Sequence, residues 1–129
     1  MNIPEDLKFT KEHEWARLEG NCIRVGITDY AQHELGDVVF VELPAVGSHV
    51  DQDDSFGSVE SVKAVSDLFA PAGGTIKAVN TALEDTPEAV NEDSFGKGWM
   101  VVIELDKPEE IDNLMDAEAY AEFVEAEAK

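Results

Sequence analysis

Hydrophobic and polar residues alternate loosely from Leu7 to Glu19, and the pattern breaks at Gly20-Asn21. An apolar run from Cys22 to Ile27 follows, so the two stretches predict a hairpin with Gly20-Asn21 in its turn. Thr28 or Asp29 caps a short helix, Tyr30 to Leu35, which Gly36 stops. Asp37 to Leu43 reads as a strand, interrupted by Glu42 and closed by Pro44. Val46-Gly47 and His49-Val50 predict a turn and a short strand before the acidic run Asp51-Gln-Asp-Asp54.

Residues 56–62 and 64–69 are both rich in Val, Phe, Leu and Ser, as strands are. Lys63 lies between them and is the only Lys or Arg between Arg24 and Lys77. Two short strands would put its amine at a hairpin tip. Val62-Lys63 is not a dipeptide that tight turns favour, so one continuous strand fits the pattern equally well. The lysine is either a surface salt-bridge partner or a residue whose job needs an amine.

Pro71-Ala-Gly-Gly74 marks a turn, Thr75 to Val79 a strand, and Glu84 to Asn91 a helical turn with Pro87 near its start. Gly98 to Leu105 is a further strand. Pro108 suits the first turn of a helix, and Ile111, Leu114, Met115, Ala119 and Phe123 follow helical spacing. The tail, about residues 108–126, is therefore one or two amphipathic helices with an acidic outer face. Asp54-Ser-Phe-Gly57 recurs as Asp93-Ser-Phe-Gly96, which suggests two similar β halves packed as a pseudo-symmetric sandwich.

Composition narrows the partners. The 129 residues suit one domain, 1–129, and 43% of them are apolar, enough for a core. Twenty-nine acids against nine Lys and Arg give a net charge of −20, which disfavours nucleic acid and anionic membrane surfaces as partners. The charge instead suits a protein with a basic patch and salt-sensitive encounter, or serves solubility. Cys22 is alone, which excludes an intrachain disulfide and a cysteine metal cluster; it reads as a small buried residue. No run approaches a membrane span, and Met1-Asn-Ile-Pro-Glu-Asp6 reads as neither signal nor transit peptide, so a cytoplasmic monomer is expected.

No motif for catalysis stands out. His33-Glu34-Leu-Gly-Asp37 has Asp where a zinc-protease helix needs its second His, so no metal site is expected. His13 and His49 read as surface or hairpin histidines. Glu14 lies beside Trp15, and Asp67 beside Leu68 and Phe69. Such acids commonly face solvent from a strand, but two near one lysine-borne group could hold a cation.

Glu60-Ser61-Val62-Lys63-Ala64-Val65-Ser66-Asp67, followed by Ala70-Pro71, resembles the lipoyl-attachment motif of the glycine cleavage system H protein family. His13-Glu14-Trp15, Gly26 to Gln32, Leu35 to Pro44, Asn80-Thr81, Val90-Asn91 and Gly98-Trp-Met100 are similar to the family in the same order. The resemblance covers roughly residues 7 to 116. It implies a mainly β barrel-sandwich hybrid, like a lipoyl domain, with a short helix after the N-terminal hairpin and C-terminal helices. It implies a lipoyl hairpin at about 55–70, with lipoic acid joined by an amide to Lys63.

The family's role is that of a non-catalytic carrier in glycine breakdown. The implied partners are glycine decarboxylase (P protein), aminomethyltransferase (T protein) and dihydrolipoyl dehydrogenase (L protein), with a lipoate ligase or lipoyl/octanoyltransferase for attachment. The carrier takes an aminomethyl group from the decarboxylase to the folate-dependent transferase, and the dehydrogenase then reoxidises it. The alternative role is that of lipoyl donor or relay in protein lipoylation. Glu14 and Asp67 stand at family positions tied to the arm's cleft, where carboxylates would keep the carried amine protonated. One departure concerns the residue before Leu35-Gly36. Some members have His there; this chain has Glu34, with His33 one place earlier, so the imidazole should point elsewhere.

Overall fold

The computed structural model describes residues 3–128; the extreme ends of the expected 1–129 domain, Met1, Asn2 and Lys129, lie outside the described residues. The N-terminal stretch forms β1, Lys8–Phe9, and β2, Glu14–Glu19, separated by a tight turn over Thr10–His13. β3 is Cys22–Ile27, and Gly20 turns the hairpin between β2 and β3 at φ 66°. α1 spans Asp29–Leu35, with the Thr28 hydroxyl accepting from the Ala31 N–H, so Thr28 and not Asp29 is the cap.

β4 (Val38–Glu42), β5 (His49–Val50), β6 (Ser55–Ser61), β7 (Val65–Phe69), β8 (Gly74–Val79) and β9 (Val101–Leu105) complete the strands. They make a six-stranded sheet, order β1-β2-β3-β9-β8-β5, and a three-stranded sheet, order β4-β6-β7. Every strand pair is antiparallel. The strands alternate, so each sheet has one apolar face, and the two faces must cover each other. Ile23, Val25, Ile76 and Ile103 of the larger sheet meet Val41, Val59 and Leu68 of the smaller in one buried core. This is the expected mainly β barrel-sandwich hybrid with helices around it.

A second apolar cluster lies under α4 (Ala117–Ala128): Leu7, Phe9, Trp15, Tyr120 and Val124. The Tyr120 ring stacks on Phe9 at 4.6 Å, and its hydroxyl hydrogen-bonds with Thr28 at 2.7 Å and with His13 Nδ1 at 2.8 Å. His13 Nε2 also meets Glu127 at 2.7 Å. His13 is thus a hairpin histidine, at the end of the β1–β2 turn, that also tethers α4.

The helical turn expected within Glu84 to Asn91 is α3 (Ala89–Glu92), with Pro87 just before its start, and a further single turn, α2 (Ala82–Asp85), precedes it. Other expectations need correction. The tail opens as a 3-10 helix over Pro108–Asn113, and Met115 then pairs with Phe9 in a β-bridge, so the apolar spacing from Ile111 to Met115 does not form one helix face. Asp54 to Gly57 enters strand β6 while Asp93 to Gly96 forms a turn, so the repeat is not a structural one. Cys22 is only half-buried.

Candidate functional site

The β6–β7 pair closes through Val62, Lys63 and Ala64, so the lysine stands on a hairpin tip and not inside one strand. Ser61 makes this turn without the usual Asn-Gly. Its backbone N–H donates to the Ala64 carbonyl at 2.8 Å, and its buried hydroxyl accepts from the Lys63 and Ala64 N–H groups at 3.3 and 3.1 Å. The Val62 N–H donates to the Asp37 carbonyl at 3.0 Å, which ties the tip to the start of β4. Val62, Lys63 and Ala64 are exposed. No salt bridge among the described residues includes Lys63, so its salt-bridge reading finds no partner there.

Ser61→Ala is expected to cost about 1 kcal/mol, the typical worth of such a bond. It should also speed hydrogen exchange at the Lys63 and Ala64 amides more than elsewhere in β6 and β7. Uniform protection across the hairpin would show that Ser61 does not order the tip.

Gly36 ends α1 at φ 81°, a left-handed conformation that suits glycine, and a Cβ there would lie 3.2 Å from Lys63 Cε. The lysine stem therefore lies against the C-terminal end of α1. Asn91, on α3, fixes this end: its Oδ1 accepts from the Val38 N–H at 2.8 Å, and its Nδ2 donates to the Gly36 carbonyl at 2.9 Å and to Gln32 Oε1 at 3.0 Å. Asn91→Ala leaves the Gly36 and Val38 backbone groups without these partners. A loss of about 2 kcal/mol is expected in urea unfolding, against about zero for a solvated side chain.

α1 also walls a cleft of about 250 Å³. Ile27, Tyr30, Ala31, Glu34 and Leu35 form one side, Val59, Ser66, Asp67 and Leu68 the other, and Glu12, His13 and Glu14 the end. Tyr30 stands six residues before Gly36, about 9 Å along the helix. The lining carries four carboxylates and no Lys or Arg.

Glu14 is 1% exposed at the start of β2. Thr10 Oγ1 donates to its Oε1 at 2.6 Å, and the Phe69 N–H donates to its Oε2 at 3.2 Å. Burial outweighs these bonds and pushes its pKa up to about 7. Glu14 also lines a second hollow of about 470 Å³, between Thr10–Glu12 and Asn113–Met115.

The two predicted cleft acids share the cleft unequally. Register pairs Asp67 with Ser58, itself opposite Glu42, while Ser66 pairs with buried Val59. Alternation directs Ser66 inward with Val59 and Leu68, and leaves exposed Asp67 on the opposite row at the rim. Glu60 lies exposed on β6 beside the tip.

Ser66, Tyr30, Glu34 and Glu12 were not singled out in the sequence as cleft residues. Alternation back from Leu68 could have found Ser66. Tyr30 and Glu34 needed the placing of α1 across the cleft from β7, and Glu12 the placing of the β1–β2 turn at its end. Glu34 lines the cleft and His33 does not, in keeping with the one-place shift.

The residue types fit a lysine-borne arm ending in a cation: apolar walls for a methylene chain, carboxylates at the end. The family model described as Glycine cleavage H-protein matches residues 7–127. This chain belongs to the glycine cleavage H-protein family. The glycine cleavage system H protein of Anaeromyxobacter sp. (strain K) is 58% identical over 125 residues, 97% of this chain and 98% of that protein. The one from Geobacillus kaustophilus is 57% identical over 124 residues, 96% of this chain and 98% of that protein. The crystal structure of a glycine cleavage system H protein from Mycobacterium marinum superposes with a TM-score of 0.86 at 40% identity, covering 98% of this chain and 100% of that chain. No helix among the described residues is long and apolar enough to cross a membrane.

Proposed function

We propose that this chain is the lipoyl carrier of a glycine cleavage system, with lipoate joined to Lys63 and no chemistry of its own. The observation that carries the reading is Lys63 on an exposed, ordered tip, with its stem against the helix that walls a carboxylate-lined cleft. When bound, the lipoyl group supplies a disulfide on a long arm that takes up the aminomethyl unit of glycine. The tip presents the amine for attachment. Acylation removes the lysine's charge, which leaves the cleft's carboxylates for the cargo.

Ile27, Leu35, Val59 and Leu68 would cover methylene groups and exclude water. Glu14, held by Thr10 and the Phe69 amide, would hold a proton on an amine brought to it, because a nearby carboxylate favours the charged form. Asp67 would add a weaker field from the rim. The partners are the decarboxylase, the aminomethyltransferase, dihydrolipoyl dehydrogenase and a lipoate ligase or lipoyl/octanoyltransferase, each met in turn by a cytoplasmic, monomeric carrier.

The test is intact mass of protein from its native source, with a peptide map of residues 50–80. One lipoyl group on Lys63, and loading by a glycine decarboxylase, is the expected result. A lipoylated chain that the decarboxylase cannot load would make it a lipoyl relay. A bare Lys63 that a lipoate ligase also refuses would end the carrier reading.

A further inference from the structure

Among the described residues, six large apolar side chains are well exposed, and four of them, Val39, Phe40, Val62 and Val65, surround Lys63 on the three-stranded sheet and its tip. Register gathers them. Phe40 is opposite Glu60, and Glu60 is opposite Val65, so the three make one row across β4, β6 and β7. The row faces away from the core, since the next row inward along β4 and β6 is buried Val41 and Val59. The bulge between Val38 and Phe40 leaves Val39 47% exposed beside it, and Val62 is 69% exposed at the tip.

A chain with a net charge of −20 has little difficulty covering its surface with polar groups, so an apolar row at its tip calls for an occupant. Its border is acidic. Glu60 lies in the row, and Glu42 and Asp67 lie in the row two places along the strands, with Ser58 between them. Lys63 is the one Lys or Arg between Arg24 and Lys77.

We propose that this row and its acidic border are the docking surface for the enzyme that acylates Lys63. Its partner is a protein whose active-site mouth presents apolar side chains within a rim of Arg and Lys. The inference rests on Lys63 being the lipoylated residue. An acylating enzyme must bring an activated acyl donor, an acyl adenylate or thioester, to the amine itself. The amine nitrogen bonds to the acyl carbon, the bond to the adenylate oxygen or thiol sulfur breaks, and the amine's proton passes to a base. Its surface must therefore cover the tip. Enzymes that work at the far end of the arm have no such need. The row also solves a selection problem, since the chain has seven lysines and only this one is flanked by exposed valines on both sides.

The experiment uses the full apo chain, a bacterial lipoate ligase, lipoate and ATP. Phe40→Thr with Val65→Thr keeps strand-forming residues on the exposed row; Leu18→Thr with Val46→Thr removes exposed apolar groups elsewhere. The expected result is a fall of at least tenfold in kcat/KM of ligation for the first pair, carried by KM, and a change under twofold for the second. Melting temperatures should be unchanged in both, and KM for the wild type should rise with salt. Val65→Thr alone, expected to lower kcat/KM about threefold, keeps the test valid should the double variant fold poorly. Wild-type kcat/KM in a folded double variant overturns the docking surface. So does unchanged ligation with impaired loading by the decarboxylase, which would give the row to a later partner. A wild-type chain that is not ligated at all sinks the lipoate reading itself, and the docking proposal with it.

Discussion

Lys63→Arg is expected to abolish the proposed lipoylation and, with it, any glycine cleavage that this chain supports, and to leave its melting temperature unchanged. The reasoning starts from what the side chain does in the fold. It is exposed, and no salt bridge among the described residues includes it, so its charge does little for stability. Ser61 holds the tip through the backbone N–H of residue 63, which Arg retains. Arg also keeps the positive charge and a long stem beside Gly36. It lacks an amine that can be neutral and nucleophilic near pH 7, because the guanidinium does not release its proton. An amide to lipoate therefore cannot form. Intact mass after incubation with ligase, lipoate and ATP reads the first loss directly. Release of labelled carbon dioxide from glycine by the reconstituted system reads the second. A lipoyl adduct on the Arg variant would mean that another lysine carries the arm, and the site would have to move.

Glu14→Gln makes the protein more stable than the wild type above neutral pH, by about 3 kcal/mol or roughly 10 °C in melting temperature. Burial raises the Glu14 pKa in the fold from 4.5 to about 7. Below pH 4.5 the carboxyl is protonated in both states and the fold bears no penalty. Between 4.5 and 7 the unfolded chain ionises Glu14 while the folded chain keeps its proton, so stability falls as pH rises. The slope is about 1.4 kcal/mol per pH unit. Above pH 7 that stability is gone and stays gone. Gln keeps the size and an oxygen for the Phe69 amide but never ionises, so it removes this pH dependence.

His49 adds a residual slope of the same sign. Its hydrogen bond to Asp106 raises its pKa, so its contribution is present below the unfolded value of 6.5 and lost as pH rises through the folded one. Melting curves at pH 5 and pH 8 for both proteins check the prediction; parallel losses in wild type and variant would show that Glu14 titrates normally. The same substitution should shorten the lifetime of the loaded carrier, because a neutral amide cannot favour the cargo's ammonium. Asp67→Asn should have the smaller effect, since Asp67 sits exposed on the rim row.

Strand patterning was legible wherever one face is buried. β3, β8 and β9 follow the pattern within a few residues, since Ile23, Ile76 and Ile103 alternate with half-buried or exposed neighbours. α1 was equally clear, because Thr28 and Gly36 punctuate it from both ends. The tail misled at Met115, where helical spacing suggested a helix and pairing with Phe9 prevailed. The hairpin at Lys63 was ambiguous for a different reason. Its turn depends on Ser61, a residue that looks like any strand serine until its hydroxyl is seen under the Lys63 and Ala64 amides.

The amino-acid sequence by itself determined the β character, the short capped helix, the family and the lysine on which the proposed function turns. These are local properties: periodicity, capping and a run of side chains in fixed order. Only the tertiary structure decided that Glu14 is buried and Asp67 is not, that Ser66 shares the cleft, and that Asn91 holds Gly36 and Val38 in place. It also gathered Phe40 and Val65, 25 positions apart, into one exposed row beside Lys63. Burial and register depend on what packs against a residue from elsewhere in the chain, and no local pattern carries that.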